Sequence, residues 1–269
     1  MGSTGFLGRY LFNELKLLGI KVYGAMRRKN KSLKNRLILD VQNDTTVKNF
    51  PWKNFDIIVD CSGYINYDKT LESVLQNIKS NVLAPLKIIS RLNKKQKYFY
   101  CSTHAILLKE GEHNPYSFSK LIFERYIKVT NDILPKVTIF QLPGLFHESR
   151  KTGLLHLIQE SFIMKKPLTL KVSFKKWHAM YLPRAIDIMT TAILKKNTPQ
   201  MITVGYPLNI KIKEIIGTAK SLFGYEIPMT CKEEDSDHYA PNLKNQNLFY
   251  KVTKSDFTQD LKHFFKPKS

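Results

Sequence analysis

A tyrosine and a lysine four positions apart, Tyr116 and Lys120, are the pair in this chain best suited to acid–base chemistry. If the segment is helical, residues four apart share a face, so the two side chains would be neighbours. A lysine ammonium beside a phenol favours the phenolate and should lower the tyrosine pKa from its usual value of about 10. Tyr116 would then donate and accept protons near neutral pH. A hydroxyl opposite, on Thr103 or Ser102, could hold the oxygen of a substrate.

The same Tyr-x-x-x-Lys spacing recurs at Tyr250 and Lys254, and a chain with 43 lysines and arginines produces such pairs by chance. The context separates the two pairs. Tyr116 opens a helical pattern just after a strand-like segment that ends in hydroxyls, whereas Tyr250 has no such neighbour. We therefore interpret the second pair as accidental.

A glycine-rich turn opens the chain, with glycines spaced G-x-x-G-x-x-G and followed by an apolar helical pattern. Glycine lets the backbone approach a diphosphate closely, and the free N–H groups and dipole of the following helix favour an anion. The turn predicts a dinucleotide-binding site, and the alternative is a helix entry that happens to be rich in glycine. The residues of this turn predicted to contact a cofactor are Gly2, Thr4, Gly5, Phe6, Leu7 and Gly8.

A turn of this kind normally follows a buried β-strand, but only Met1 precedes Gly2 in the sequence. We expect the first strand of the fold to be missing from this chain, through a mis-set start or a shortened chain. The upstream reading frame should then encode about five to eight apolar residues, the length of a buried strand.

Short apolar segments alternate with helical patterns, which predicts an α/β fold with a doubly wound parallel sheet and a small C-terminal lobe. Strands are predicted at residues 20–26, 36–41, 56–63, 97–103, 137–144 and 201–204. Helices are predicted at residues 5–18, 71–92, 154–164, 183–194 and 212–223, with another beginning near residue 115 and a last one carrying Phe257, Leu261, Phe264 and Phe265. We predict a dinucleotide-binding domain over residues 1–145 and a mainly substrate-binding lobe over 146–269, with 178–206 returning to the sheet.

The residues that follow the predicted strands indicate the cofactor. At the end of the second strand of a dinucleotide-binding unit, an acidic residue bonds the ribose 2′-hydroxyl, whereas arginine favours a 2′-phosphate. Arg27 and Arg28 follow the 20–26 strand with no acid nearby, so we predict NADP, with NAD as the alternative. A basic surface loop is the other interpretation of these residues. Ser62 and Gly63 end the 56–63 strand and are small enough for a cofactor to pass.

The formal net charge of +21 suits anionic ligands and could indicate nucleic acid or a membrane surface. The lysines are scattered and no nucleic-acid motif accompanies them, so we interpret them as a solvated surface and predict no nucleic-acid partner. The sequence has no apolar run of about 20 residues and no secretory signal, so we predict no membrane insertion. Cys61, Cys101 and Cys231 lack metal-type spacing, which predicts reduced thiols, no metal site and a cytoplasmic protein.

Together these motifs resemble an extended short-chain dehydrogenase/reductase of the NAD-dependent epimerase/dehydratase family, whose members modify nucleotide sugars. The resemblance spans nearly the whole chain. It implies Thr103, Tyr116 and Lys120 as the catalytic residues, with Tyr116 and Lys120 also at the cofactor. It further implies cofactor contacts at Asp40, Val41, Asn81, Pro143 and Leu145. Residues 176–181 resemble the start of the family's substrate lobe.

Departures from the family pattern narrow the expected reaction. His104 and Ala105 follow Thr103 where the family's dehydratases carry Asp-Glu, which argues against 4,6-dehydration. Arg27 and Arg28 stand where epimerases that retain NAD usually carry an acid, which argues for a dissociable NADP. Three further departures leave the identity of the sugar undetermined. They are the short interval between Thr103 and Tyr116, His147 in place of a usual glycine, and the 181–184 segment.

We therefore expect an NADPH-dependent reductase of a nucleotide-linked keto-deoxy sugar, of a kind used in polysaccharide biosynthesis. The nucleotide sugar would be its substrate, and a homodimer is compatible with this expectation. The enzymatic alternative is a nucleotide-sugar 4-epimerase with retained NAD. The alternative from another class is a non-catalytic NADP-binding sensor or scaffold.

Overall fold

The structure is a computed structural model that describes residues 1–27, 36–107, 113–130, 132–170, 176–208, 210–231 and 242–266. The chain divides into two compact units. The first unit comprises Met1–Leu142 and Ile186–Thr203, and the second comprises Pro143–Ala185 and Val204–Ser269. Among the described residues, no helix is both long and apolar enough to cross a membrane.

The first unit is built on parallel strands connected by helices. Its strands are β1 (Gly24–Met26), β2 (Arg36–Ile38), β3 (Ile57–Asp60), β4 (Lys97–Thr103), β5 (Lys136–Leu142) and β10 (Met201–Thr203). Its helices are α1 (Phe6–Leu17), α2 (Asp44–Asn49), α3 (Leu71–Ile78), α4 (Ala84–Ile89), α5 (Pro115–Thr130) and α7 (Leu182–Leu194), the last of which begins in the second unit. A five-residue π-helical turn, Lys79–Leu83, joins α3 to α4.

The strands of the first unit form two separate parallel sheets. One contains four strands in the order β10-β5-β4-β3, and the other contains only β1 and β2. Strands β4 and β5 are the two inner strands of the larger sheet. Tyr98 and Phe99 of β4 are fully buried, and Phe99 stacks on Phe140 of β5 at 5.6 Å between ring centroids. Near-continuous apolar runs of this kind are typical of parallel strands covered on both faces. The predicted parallel α/β architecture is confirmed.

The second unit is formed by short strands and helices. Its strands are β6 (Gly144–Phe146), β7 (Leu168–Leu170), β8 (Lys176–Trp177), β9 (Ala179–Tyr181), β11 (Ile210–Lys211) and β12 (Met229–Cys231), and its own helices are α6 (Leu154–Ile163), α8 (Ile212–Phe223) and α9 (Lys254–Phe265). Strands β6 and β9 are parallel, as are β7 and β12, whereas β8 and β11 are antiparallel.

Helix α9 is the predicted last helix, and its position is confirmed. Thr253 and Asp256 form a capping box at its start, which satisfies backbone donors that a helix otherwise leaves unpaired. Asp260 on this helix accepts a bidentate pair of hydrogen bonds from Arg184, at 2.6 and 2.8 Å. The apolar residues of the helix are buried as the spacing predicted: Phe257, Leu261, Phe264 and Phe265.

One predicted strand is only half formed. The sequence predicts a strand over residues 20–26, but the ladder begins at Gly24, and residues 20–23 have no strand partner among the described residues. Strand β2 likewise ends at Ile38 rather than at residue 41. The apolar pattern at 20–23 is correct for a strand, but an isolated segment without a neighbour cannot form ladder hydrogen bonds.

Candidate active site

The glycine turn is packed against the end of β3 so closely that side chains are excluded. Gly2 has a φ of +67°, and a Cβ atom there would lie 2.6 Å from the carbonyl oxygen of Cys61. A Cβ on Gly8 would collide with the carbonyl group of Gly2. Gly2 therefore permits both the left-handed backbone and the close approach, and Gly8 lets helix α1 pack on the turn.

The turn leads directly into the N-terminus of α1, which is suited to bind an anion. Gly5 is the N-cap residue, and no side chain caps the helix or places an acid in its first turn. The first N–H groups of a helix have no intrahelical partner, so an uncapped start is able to bind a phosphate. The residues of the turn therefore fit the diphosphate of a dinucleotide.

Several predicted cofactor residues of the first unit lie just after the ends of its parallel strands. Arg27 directly follows β1, and Asp40 and Val41 follow β2 after Leu39, whose N–H donates to the Met26 carbonyl at 2.8 Å. Ligands of open parallel sheets bind beyond the carboxyl ends of the strands. Arg27, Asp40 and Val41 therefore lie at the edge of the sheet where such ligands bind in open parallel folds.

The end of β3 is ordered by a buried carboxylate. Asp60 is 5% exposed and accepts hydrogen bonds from the backbone N–H and the hydroxyl of Ser62 and from the phenol of Tyr98. Burial, followed by the charge of Asp60, raises the Tyr98 pKa well above its usual value. The sequence analysis did not single out Asp60, although a polar residue at the end of an apolar strand is a usable signal.

Lys120 lies buried between the ends of β3 and β4. Its Nζ atom donates to the Cys101 carbonyl at 2.8 Å and lies 4.2 Å from the centroid of the Tyr100 ring. A Cβ on Gly63 would lie 3.1 Å from Nζ, so a side chain there would crowd the ammonium. The structure therefore brings Lys120 and Gly63 together at one edge of the sheet.

Thr103 and Tyr116 meet at the end of β4. A hydrogen bond joins the Thr103 hydroxyl and the Tyr116 phenol, and Thr103 also accepts from the Ala105 N–H at 3.2 Å. The Nζ atom of Lys120 is 5.9 Å from the centroid of the Tyr116 ring. Thr103, Tyr116 and Lys120 therefore form one cluster. Ser102, the other candidate hydroxyl, is buried.

The expected lowering of the Tyr116 pKa is wrong for this structure. Burial raises the pKa of Tyr116, and its hydrogen bond to Thr103 opposes that rise only in part. The ammonium of Lys120 bonds to a backbone carbonyl and is not among the groups that shift the phenol. Burial removes hydration from the phenolate and so disfavours it. This effect outweighs the stabilisation of the phenolate that the spacing of Tyr116 and Lys120 predicted.

Two titratable groups one helical turn apart, Lys120 and Glu124, are buried on the inner face of α5. Burial lowers the Lys120 pKa to about 8 and raises the Glu124 pKa to about 7. Glu124 accepts from the Gln141 side chain at 2.8 Å, and Gln141 accepts in turn from Thr203 at 2.7 Å. Sequence reasoning missed Glu124, although its i,i+4 spacing from Lys120 was visible.

Asn81 fixes the loop that follows β3. It lies in the π-helical turn, is fully buried, and pairs with both backbone groups of Tyr64 at 2.9 Å. Its amide also donates to Ser119 of α5 at 3.0 Å. A buried amide that satisfies a loop backbone is a positioning residue, and the structure shows Asn81 holding protein groups.

Three predicted cofactor residues, Arg28, Pro143 and Leu145, are not among the described residues of the first unit. Arg28 lies outside the described residues. Pro143 directly follows β5 and Leu145 lies in β6, and both belong to the second unit. Tyr67, which the sequence analysis did not identify, packs edge-on against Tyr116 at 6.0 Å between ring centroids and is 60% exposed.

Comparison with protein families gives one match to this chain. The model described as the NAD dependent epimerase/dehydratase family matches residues 1–146, which is more than half of the 269 residues. A comparison with curated protein sequences finds no match.

Solved structures share the fold across almost the whole chain. UDP-glucose 4-epimerase of Thermus thermophilus, in complex with NAD, has a TM-score of 0.77 at 15% identity, covering 98% of this chain and 97% of that one. UDP-glucuronic acid 4-epimerase of Bacillus cereus, with UDP-glucuronic acid and NAD, has a TM-score of 0.78 at 15% identity and the same coverage.

A third similar structure carries the other nicotinamide cofactor. RMD of Pseudomonas aeruginosa, complexed with NADPH, has a TM-score of 0.73 at 12% identity, covering 98% of this chain and 94% of that one. At these identities the three structures show the fold, and they confirm the predicted Rossmann-like architecture.

Proposed function

Because the chain belongs to the NAD dependent epimerase/dehydratase family, we propose that it is an NADPH-dependent reductase of a nucleotide-linked keto-deoxy sugar. The observation that carries the proposal is the cluster of Thr103, Tyr116 and Lys120 at the end of β4. A hydroxyl pair beside a buried ammonium is suited to hold a carbonyl oxygen and deliver a proton to it.

The protonated form of Tyr116 is the one that a reduction uses. Burial raises the Tyr116 pKa, so the phenol carries its proton at neutral pH. A reductase needs a proton donor at the start of its chemical step, whereas a hydroxyl oxidation, with which a 4-epimerase begins, needs a proton acceptor. A protonated Tyr116 is therefore the form in which a reduction starts.

Different residues of the chain would have different roles in the reaction. When bound, the nicotinamide of NADPH supplies the hydride that adds to the keto carbon. Thr103 and Tyr116 hold the carbonyl oxygen, and Tyr116 donates its proton to that oxygen as negative charge develops there. Lys120 holds positive charge beside the site, which favours transfer of the proton away from Tyr116. Holding the reactants in one geometry accounts for much of the rate.

Two features support reduction by NADPH over the other family reactions. The two positions after Thr103 are occupied by His104 and Ala105, which begin a short 3₁₀ turn that ends at Leu107. Neither side chain is a carboxylate, so the carboxyl groups needed for 4,6-dehydration are absent from these two positions. Arg27 follows β1 without an acid beside it, which favours a 2′-phosphate. The free thiols of Cys61 and Cys101 are compatible with a reducing, cytoplasmic location.

Oxidation of NADPH by the purified protein tests the proposal, with nucleotide-linked 4-keto-6-deoxy sugars as substrates. We expect loss of NADPH absorbance together with formation of a reduced nucleotide sugar. The epimerase alternative predicts tightly held NAD that is released on denaturation, and interconversion of UDP-sugars without net NADPH consumption. The sensor alternative predicts tight NADPH binding without reduction of any ketone. Either of these two results would overturn the proposal.

A further inference from the structure

Two cysteine thiols lie side by side in the first unit, at the ends of neighbouring parallel strands. Strand β3 is paired with β4 so that Asp60 lies opposite Tyr100, and Cys61 and Cys101 are the next residues along the two strands. Their Sγ atoms are 3.6 Å apart and share a hydrogen bond, and both thiols are free. The fold therefore brings together two cysteines that are 40 residues apart in the sequence.

The strand geometry suits a covalent bond between these two sulfur atoms. Residues in register on adjacent strands present their side chains on the same face of the sheet, and adjacent strands are about 4.8 Å apart. A disulfide joins Cα atoms that are about 4.4–6.8 Å apart. Continued by one residue, the register of β3 and β4 therefore places Cys61 and Cys101 within the range that a disulfide spans.

The surroundings of the two thiols differ, which gives them different reactivity. Cys61 is half-buried, whereas Cys101 is buried. The hydrogen bond with Cys101 lowers the pKa of Cys61 against the opposing effect of burial, and the charge of Lys120 lowers it further. The same hydrogen bond, together with burial, raises the pKa of Cys101 well above its usual value. Because the thiolate is the form that reacts with oxidants, Cys61 is the more reactive of the two.

The backbone of both cysteines contacts residues of the candidate cofactor site. The Cys61 carbonyl lies against the glycine turn, where a Cβ atom on Gly2 would approach its oxygen to 2.6 Å. The Cys101 carbonyl accepts a hydrogen bond from Nζ of Lys120 at 2.8 Å. A change in the position of either cysteine therefore acts directly on the glycine turn or on the ammonium.

We propose that Cys61 and Cys101 are a redox-active pair that a hydroperoxide oxidises to a disulfide, and that this disulfide weakens the binding of the nicotinamide cofactor. An S–S bond of about 2.05 Å is shorter than the 3.6 Å between the two Sγ atoms. Closing it draws the ends of β3 and β4 together and displaces the carbonyls that contact Gly2 and Lys120. Neither residue can adjust freely, because Gly2 is closely packed and Lys120 is buried.

The oxidation takes place in two balanced steps. The Cys61 thiolate attacks one oxygen of hydrogen peroxide and the O–O bond breaks. The departing hydroxide takes up the proton that the Cys61 thiol released, forming water and leaving a sulfenic acid on Cys61. The Cys101 sulfur then attacks the sulfenic sulfur, the S–O bond breaks, and hydroxide leaves with the Cys101 proton as water. The thiols lose two electrons and two protons to the peroxide, and a dithiol reductant reverses the change by thiol–disulfide exchange.

The inference goes beyond the proposed reductase reaction, in which neither cysteine has a role. It makes the affinity for the cofactor depend on peroxide, because the reduced protein binds the cofactor and the oxidised protein binds it more weakly. The disulfide and the affinity are each measured without a sugar substrate, so a failure of the reductase proposal leaves both measurements valid.

Peptide mapping tests whether the disulfide forms. The purified, reduced protein is treated with a small excess of hydrogen peroxide, digested, and analysed by mass spectrometry without a reductant. We expect a peptide that contains Cys61 linked to one that contains Cys101, and separation of the two by dithiothreitol. Cys231→Ala, which replaces the third cysteine of the sequence, is the control and should form the same link. Absence of the link, or a link that involves Cys231, would overturn the proposal.

Cofactor titration tests the consequence of the disulfide. The Kd is measured for NADPH and NADH with the reduced and the oxidised protein. For the cofactor that binds the reduced protein, we expect oxidation to raise the Kd at least about fivefold and dithiothreitol to restore it. Cys61→Ala and Cys101→Ala cannot form the disulfide, so peroxide should leave their Kd unchanged. A wild type that carries the disulfide with an unchanged Kd overturns the proposal, and so does an equal rise of the Kd in the alanine variants.

Discussion

The ammonium of Lys120 donates a 2.8 Å hydrogen bond to the carbonyl oxygen of Cys101, two residues before Thr103. This bond ties helix α5 to the end of β4, so the backbone of the strand positions the ammonium. The place of Lys120 therefore does not depend on Tyr116, and the two residues can be tested separately.

Cofactor affinity should depend on pH through Lys120. Burial lowers the Lys120 pKa to about 8, so the side chain is charged at pH 7 and neutral at pH 9.5. If Lys120 helps to hold the cofactor, the Kd for NADPH should rise severalfold across this interval, with its midpoint near pH 8. Fluorescence titration measures the Kd. Lys120→Met should bind more weakly and without that midpoint, and a wild-type Kd that is unchanged from pH 7 to 9.5 would contradict the assignment.

The buried carboxyl of Glu124 should make the fold less stable as pH rises. The Glu124 pKa is raised from 4.5 to about 7, so the folded protein binds this proton more tightly than the unfolded chain. The resulting stability is fully present below about pH 4.5 and is lost as pH rises through 7. Glu124→Gln should remove this contribution. The Tm of the variant minus that of wild type should therefore increase as pH rises from 5 to 8. Parallel Tm curves would contradict the inference.

Removing the Asn81 amide should destabilise the loop after β3. Asn81 pairs with both backbone groups of Tyr64 and with Ser119. An unsatisfied buried polar group costs about 1–3 kcal/mol, and Asn81→Ala leaves several, so we expect a loss of about 2–4 kcal/mol in urea unfolding. Asn13→Ala, at an exposed position of α1, is the control. A loss no larger than that of the control would show that the network is not stabilising.

Arg27 should select the cofactor. It follows β1, where a 2′-phosphate would lie, and a charge-assisted hydrogen bond is worth about 1.5–3 kcal/mol. We expect NADPH to bind at least about tenfold more tightly than NADH, and Arg27→Ala to narrow that difference without weakening NADH binding. Calorimetry measures the four dissociation constants, for NADPH and NADH with wild type and with Arg27→Ala. Equal affinities of the wild type for NADPH and NADH would remove the basis for proposing NADP.

The sequence predicted the strands and turns whose patterns are local. Strand β4 was predicted with its observed bounds because its apolar run is buried by neighbours on both sides. The conformation of Gly2 follows from its position in the turn, since only glycine fits against Cys61.

The features that the sequence did not predict depend on tertiary contacts, which a local sequence pattern does not contain. Residues 20–23 have the composition of a strand, but pairing requires a partner at that edge. The Tyr116 pKa could not be predicted from its spacing to Lys120, because the burial that raises it is a tertiary property. Glu124 and Gln141 are far apart in sequence, and their hydrogen bond arises only when α5 packs on β5.

Reduction of a nucleotide-linked 4-keto-6-deoxy sugar by wild type and Tyr116→Phe tests the central claim most directly. The substitution removes the phenolic oxygen and keeps the ring, so NADPH should still bind. Turnover should fall by about 10²–10⁴, the usual contribution of a positioned acid. Tyr250→Phe, which alters the second Tyr-x-x-x-Lys pair, should keep wild-type turnover. Wild-type turnover in Tyr116→Phe would contradict the assignment of Tyr116 as the proton donor.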